Sequence, residues 1–306
     1  MILKSNIDTN KMLTKYGYRL SKSELDDCVI ESLYEELTVK PFNDYGNDDG
    51  NFCVCYETKK YIYLPKYFGI QKFGIPITNT INEGKEIKVY FKGNLLENQY
   101  EPIHAYLLAA KDLNQMGGIL QLPPGYGKTV MALYIISQLS VRTLIVVHKE
   151  FLMNQWKERI DQYLDNASIG IIKQKRIEYN NDIVIASLQS ICSKKYDDDI
   201  FKEFGLVIID ECHHVGAQVF SQALKKVNFK YSLGLSATVN RKDGLTKVFK
   251  WHIGDIVYKV KQKKTVTCIV KKCIYQEDDE NYNKTVTIFN GKPNISRMIN
   301  NICDYD

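Results

Sequence analysis

No apolar run in this 306-residue sequence approaches the roughly 20 residues that a bilayer-spanning helix needs. A helical membrane protein is thereby excluded. The opening stretch, MILKSNIDTNKML, has no apolar core of signal-peptide length. The eight cysteines, at 28, 53, 55, 192, 212, 268, 273 and 303, show neither zinc-ligand spacing nor a dense disulfide pattern. Cys53 and Cys55 share a face if they lie in a strand, and core packing accounts for them better than metal binding. There is no internal repeat and no low-complexity tract. Together these absences predict a soluble protein with reduced thiols in a reducing compartment.

Large net charge is missing too. The formal balance is only +5, which permits contact with nucleic acid without arguing for it. Its distribution is uneven. From Lys225 to Lys272 the lysines and Arg241 face only Asp243 and Asp255. A solvated basic surface is the simplest account of that stretch. With 44% hydrophobic and 25% charged residues, the composition is that of an ordinary globular chain.

Three regions follow from the patterning. Residues 1–93 read as a small α+β accessory domain. A helical stripe runs over Ser23–Leu37 with Leu25, Val29, Leu33 and Leu37 on one side, capped by Ser21 or Ser23. FCVCY and YIYL then flank a polar link and predict a hairpin. Residues 94–260 alternate apolar strands (GGILQL, TLIVV, DIVIAS, LVIID, YSLGLS) with helical stretches. That alternation predicts a mostly parallel sheet covered by helices on both faces. Residues 261–306 begin with the strand-like KTVTCIVKKCIY and end in a possible helix, ISRMINNICDYD.

LPPGYGKT, Leu122–Thr129, lies between the GGILQL strand and the helical VMALYIISQL. This is the context of a phosphate-binding loop. Gly125 and Gly127 free the backbone to wrap a polyphosphate. Lys128 would place its ammonium on the β- and γ-phosphates, Thr129 would bind Mg²⁺, and the helix N-terminus would favour the same anion. The candidate ATP-binding set is Pro124, Gly125, Tyr126, Gly127, Lys128, Thr129 and Val130. Where the general pattern has its first glycine, this chain has Leu122.

LVIIDECHH, Leu206–His214, is an apolar strand ending in Asp210 and Glu211. Asp210 would reach the Mg²⁺ held by Thr129, and Glu211 would orient and deprotonate the attacking water. His213 and His214 do not share a face and have no partner cluster, so His213 is read as a coupling residue. LGLSATVNRKDG then delivers Ser236 and Thr238 at a strand end, where hydroxyls can sense the γ-phosphate.

The series GYGKT, DECH and SAT resembles superfamily 2 helicases and translocases. LLENQYEPIHAYL resembles the segment in which a glutamine reads adenine, which makes Gln99 the candidate. TLIVVHKEFLMNQWKERI and ASLQSI resemble motifs that hold a nucleic-acid backbone. NRKDGLTKVFKWHIGDIVYKV, ELTVKPF and YLPKYFGIQKFG look like the XPB-type group, which includes the poxvirus transcript-release helicase and phage UvsW-like helicases. Arg241, Lys242 and Asp243 match that group's Arg-Glu-Asp triplet at its ends but not its middle. The resemblance implies a RecA-like P-loop NTPase lobe that uses ATP and Mg²⁺. It also implies backbone contacts to nucleic acid, with DNA ahead of RNA, from Lys149, Gln155, Ser187 and Gln189, at strand ends opposite the nucleotide, and from Arg241. Trp156 is expected to pack its helix on the sheet rather than stack on a base, and the tyrosines of the hairpin are expected to pack.

Motors of this kind take arginine fingers from a second RecA-like lobe, in a Gln-x-x-Gly-Arg-x-x-Arg-like motif. None occurs in these residues. The expectation is therefore an N-terminal half-motor, weak as an ATPase unless a second lobe, separately encoded or otherwise, joins it. The alternatives are an ATP- and nucleic-acid-binding adaptor without catalysis, or another P-loop enzyme such as a kinase or GTPase. The resemblance to large-DNA-virus proteins, with an Asn-, Lys-, Ile- and Tyr-rich composition, points to a virus and so to host cytoplasm or virion.

Overall fold

The computed structural model describes residues 11–40, 51–211, 217–238, 245–260, 284–288 and 291–303. Residues 1–260 and 261–306 are separate compact units. In the second unit, a helix covers Ile295–Cys303. The strand-like KTVTCIVKKCIY segment lies outside the described residues, as do His213, His214, Arg241, Lys242 and Asp243.

The first unit opens with a five-stranded sheet. Its order is Tyr56–Glu57, Tyr61–Leu64, Gly17–Ser21, Met12–Thr14 and Thr78–Asn79. The expected hairpin forms between Tyr56–Glu57 and Tyr61–Leu64, whereas Phe52–Cys53 pairs with Thr38–Val39. The expected helix is shorter at its start and spans Asp27–Leu37. Lys22–Glu24 makes a separate tight turn instead, and Leu25 is extended with its side chain buried. Asp26, rather than either serine, is the cap residue, and its carbonyl accepts the amides of Val29 and Ile30. Val29, Leu33 and Leu37 bury the stripe.

The larger sheet has eight strands. Its order is Arg176–Ile177, Ile169–Lys173, Ile183–Ser187, Thr143–Val147, Leu206–Asp210, Tyr231–Ser236, Gly117–Gln121 and Ile256–Lys259. All neighbours are parallel except the first pair. Central strands such as Thr143–Val147 and Leu206–Asp210 are buried throughout, as burial on both faces demands. One face packs on the helices Glu97–Lys111, Lys128–Leu139 and Glu150–Tyr163 through Ile103, Met131, Ile135, Trp156 and Ile160. The other packs on Leu188–Ser193, Ala217–Leu224 and Thr246–Ile253. The apolar cluster on this second face runs without a break into Leu13, Tyr18, Leu33 and Ile62 of the N-terminal sheet.

Polar contacts tie the helix Lys66–Phe73 to the same face. Lys66 Nζ donates to the Lys230 carbonyl at 2.5 Å, and the hydroxyls of Tyr67 and Ser232 are bonded. Phe68 meets Trp251 edge-on at 5.3 Å. Burial drops the Lys66 ammonium to about 7, with Lys230 nearby adding to the effect. Gly117 has φ +131, and a Cβ there would lie 2.1 Å from the Ser232 carbonyl oxygen, so close strand packing requires glycine.

Candidate nucleotide site and nucleic-acid edge

In a parallel sheet every strand ends at the same edge, and turns after those ends converge. Three adjacent strands place the candidate nucleotide residues at that edge. Gly117–Gln121 runs into the glycine loop, Tyr231–Ser236 into the Ser-Ala-Thr segment, and Leu206–Asp210 into the acidic pair. The register sets Gln121 beside Ser236 and Asp210 beside Leu235.

The loop's conformation follows from its glycines. Gly125 has φ +77 and Gly127 φ +82, a region costly for side-chain-bearing residues. A Cβ on Gly125 would meet nothing within 4 Å, so the loop faces open space there. A Cβ on Gly127 would fall 2.2 Å from Gln99 Nε2. Gly127 caps the helix Lys128–Leu139, which starts at the loop lysine, two residues earlier than the apolar pattern shows. Pro124 and Gly125 are exposed, while Tyr126, Lys128, Thr129 and Val130 are half-buried. Leu122, in place of the usual glycine, is fully buried in the core.

Lys128 Nζ donates to the Leu122 carbonyl at 3.3 Å and lies 3.5 Å from Glu211 Oε1. The loop lysine and the acidic pair therefore meet. Glu211 has φ +50, a left-handed conformation uncommon for residues other than glycine and found often at functional sites. Asp210 is buried and accepts the Trp156 indole N–H on Oδ2 at 2.8 Å. Burial raises its pKa, the neighbouring Glu211 adds to the rise, and the Trp156 bond opposes it. Two carboxylates thus sit beside one ammonium. A divalent cation suits that imbalance, and the oxygen donors available, the Thr129 hydroxyl and the Asp210 carboxylate, are the type Mg²⁺ takes. No cluster of three or more His, Cys, Asp or Glu side chains that could hold a metal ion occurs among the described residues.

Gln99 is 3% exposed. Its Oε1 accepts the Leu96 amide at 3.0 Å and its Nε2 donates to the Tyr126 carbonyl at 3.3 Å. It therefore braces the phosphate loop from the start of the helix Glu97–Lys111. Ser236 Oγ donates to the Thr238 carbonyl at 2.6 Å, and Thr238 is exposed.

Lys149, Gln155 and Gln189 are exposed, and Ser187 is half-buried. Lys149 caps the helix Glu150–Tyr163, and Ser187 caps Leu188–Ser193. Val147 and Ser187 are register partners, so Lys149 and Ser187 lie at the same sheet edge as the phosphate loop, displaced sideways along it rather than opposite the nucleotide. Trp156, 1% exposed, packs in the core. Its bond to Asp210 was invisible in the sequence, since nothing local links residues 54 positions apart. None of the described helices is long and apolar enough to cross a membrane.

A parallel sheet with helices on both faces, a glycine loop entering a helix, and a strand-end acidic pair define a RecA-like P-loop nucleotide-binding lobe. Residues 92–241 match the family described as Type III restriction enzyme, res subunit. The chain is 36% identical over 313 aligned residues to a protein of Acanthamoeba polyphaga mimivirus named as an ATP-dependent RNA helicase, L396, covering 97% of this chain and 58% of that one. It is 34% identical over 200 residues to the DNA 3'-5' translocase XPB2 of Sulfurisphaera tokodaii, covering 65% and 43%. The fold is similar to the UvsW helicase of bacteriophage T4, with a TM-score of 0.56 at 17% identity, covering 76% of this chain and 94% of that one. These likenesses fit the N-terminal RecA-like lobe of a superfamily 2 helicase. The chain spans a little over half the length of the mimivirus relative.

Proposed function

We propose that this chain is the nucleotide-binding half of an ATP-driven nucleic-acid translocase or helicase. The observation that carries the reading is the meeting of Lys128 with Glu211 at 3.5 Å, beside buried Asp210, where three adjacent strands end. The loop Pro124–Val130 holds the polyphosphate, and Lys128 neutralises its outer charge. Thr129 and Asp210 hold Mg²⁺, which when bound supplies charge neutralisation on the phosphates. Glu211 orients the attacking water and takes its proton. Ser236, Thr238 and His213 couple the state of the nucleotide to the rest of the lobe.

Nucleic acid lies along the sheet edge beside this site, held through its backbone by Lys149, Gln155, Ser187, Gln189 and Arg241. The two relatives' names divide between RNA helicase and DNA translocase. The XPB-type motifs favour DNA. The domain division of the reading is residues 1–93 as an accessory domain, 94–260 as the lobe, and 261–306 as the link toward a second lobe.

Hydrolysis by residues 1–306 alone is slow in this reading, because no arginine-finger motif is present in them. A supplied arginine is worth roughly 10³–10⁵ in rate. The test is ATP binding and turnover with and without single- and double-stranded DNA and RNA, against Lys128→Ala. Lys128-dependent nucleotide binding with slow turnover is expected. Strong stimulated turnover by the chain alone would overturn the need for a second lobe. Absence of Lys128-dependent binding would overturn the whole reading.

A further inference from the structure

The helix Glu150–Tyr163 looks two ways. In its first half, Lys149 and Gln155 are exposed, and both are assigned above to nucleic acid. One residue after Gln155, Trp156 turns inward, 1% exposed, and donates Nε1–H to Asp210 Oδ2 at 2.8 Å. Packing does not explain this contact. A phenyl ring would supply the apolar bulk of the indole, and a buried indole N–H could be satisfied by any backbone carbonyl. Here the partner is a carboxylate at the end of Leu206–Asp210, on another strand of the sheet. A hydrogen bond to a charged oxygen fixes the rotation of the carboxylate about its own axis and leaves its other oxygen to a cation.

We infer that Trp156 is a positioning residue: its indole N–H sets the orientation of Asp210 for Mg²⁺·ATP, and ties that orientation to the helix whose exposed end meets nucleic acid. The inference rests on the nucleotide-site reading above. A strand gripped at Lys149 and Gln155 is thus felt at Asp210 through one helix and one hydrogen bond. Polar partners that orient metal-binding side chains are worth about 10- to 100-fold in metal affinity.

The test uses the 306-residue chain and a fluorescent N-methylanthraniloyl ATP, titrated at fixed and varied Mg²⁺. Trp156→Phe is expected to bind the nucleotide without Mg²⁺ as wild type does, while needing about tenfold more Mg²⁺ for tight binding. An unchanged Mg²⁺ requirement overturns the inference and leaves the nucleotide-site reading intact. Failure of wild type to bind in a Lys128-dependent way overturns that reading instead. Should Trp156→Phe not fold, Trp251→Phe leaves Trp156 as the single indole, since the chain has two tryptophans. Its emission should shift when Mg²⁺ is added to the ATP-bound chain, and the shift should vanish in Asp210→Ala. No shift in the Trp251→Phe chain overturns the inference.

Discussion

Gln99 reaches across to the phosphate loop: its Nε2 donates to the Tyr126 carbonyl at 3.3 Å while its Oε1 holds the Leu96 amide at 3.0 Å. One side chain thus ties the entry of a helix to the loop that would cradle phosphate. Gln99→Ala should weaken ATP and GTP binding alike, by about tenfold, as expected for the loss of one or two ordinary hydrogen bonds. Equilibrium binding of both nucleotides checks this. A loss confined to ATP would make adenine contact, not bracing, the residue's main work.

Gly127→Ala should be more damaging. The new methyl would sit 2.2 Å from Gln99 Nε2, and φ is +82. Left-handed strain of this kind costs about 1–3 kcal/mol. Thermal denaturation should show a lower midpoint, and nucleotide should no longer raise it. Gly125→Ala, with open space around it, should bear only the conformational cost.

His252 is buried, 3.1 Å from Ser221 Oγ and edge-on to Phe220. Burial pulls its imidazole down to about 3, with Lys225 contributing. An unfolded histidine titrates near 6.5. Between these values the unfolded chain takes up a proton that the fold refuses. The neutral ring's contribution is therefore complete above about pH 6.5 and drains away as pH falls toward 3. At pH 5 the loss is about 2 kcal/mol. His252→Leu should melt below wild type at pH 7.5, and the gap should narrow at pH 5. A gap independent of pH would show that the imidazole's protonation has no part in acid sensitivity.

Cys53 and Cys55 face each other with sulfurs 2.7 Å apart. A thiol proton shared between the two sulfurs lowers Cys53 to about 6, while Cys55 is raised. Among the described cysteines, Cys53 should therefore alkylate fastest with iodoacetamide at pH 7, read by peptide mass spectrometry. Cys55→Ala removes the partner thiol and should slow that reaction several-fold. Equal rates in the two proteins would contradict the shared-proton arrangement.

The nucleotide lobe was legible because its strands are written in unbroken apolar runs, such as TLIVV and LVIID, each closed by a turn. Burial on both faces leaves little else for such a run to be. The strands Ile169–Lys173 and Ile256–Lys259 went unread, lying near or at the sheet's edges, where one side tolerates polar residues. Leu25 fits a helical stripe by spacing alone, yet tertiary burial takes it in an extended turn. In the candidate site, local order placed Lys128, Asp210 and Glu211, since each motif ends a strand. What spacing could not supply was partnership at a distance. Trp156 to Asp210 and Gln99 to Tyr126 depend on which helix packs over which strand end.

The sheet order also sets a schedule. Gly117–Gln121, which launches the phosphate loop, lies between Tyr231–Ser236 and Ile256–Lys259, both synthesised long after it. On the ribosome this strand emerges early and waits, apolar on both sides, without its neighbours. Its loop acquires its final shape only once the chain beyond residue 259 has cleared the exit tunnel. Until then the nascent lobe offers an unpaired sticky edge, and chaperone engagement during translation should concentrate in that interval.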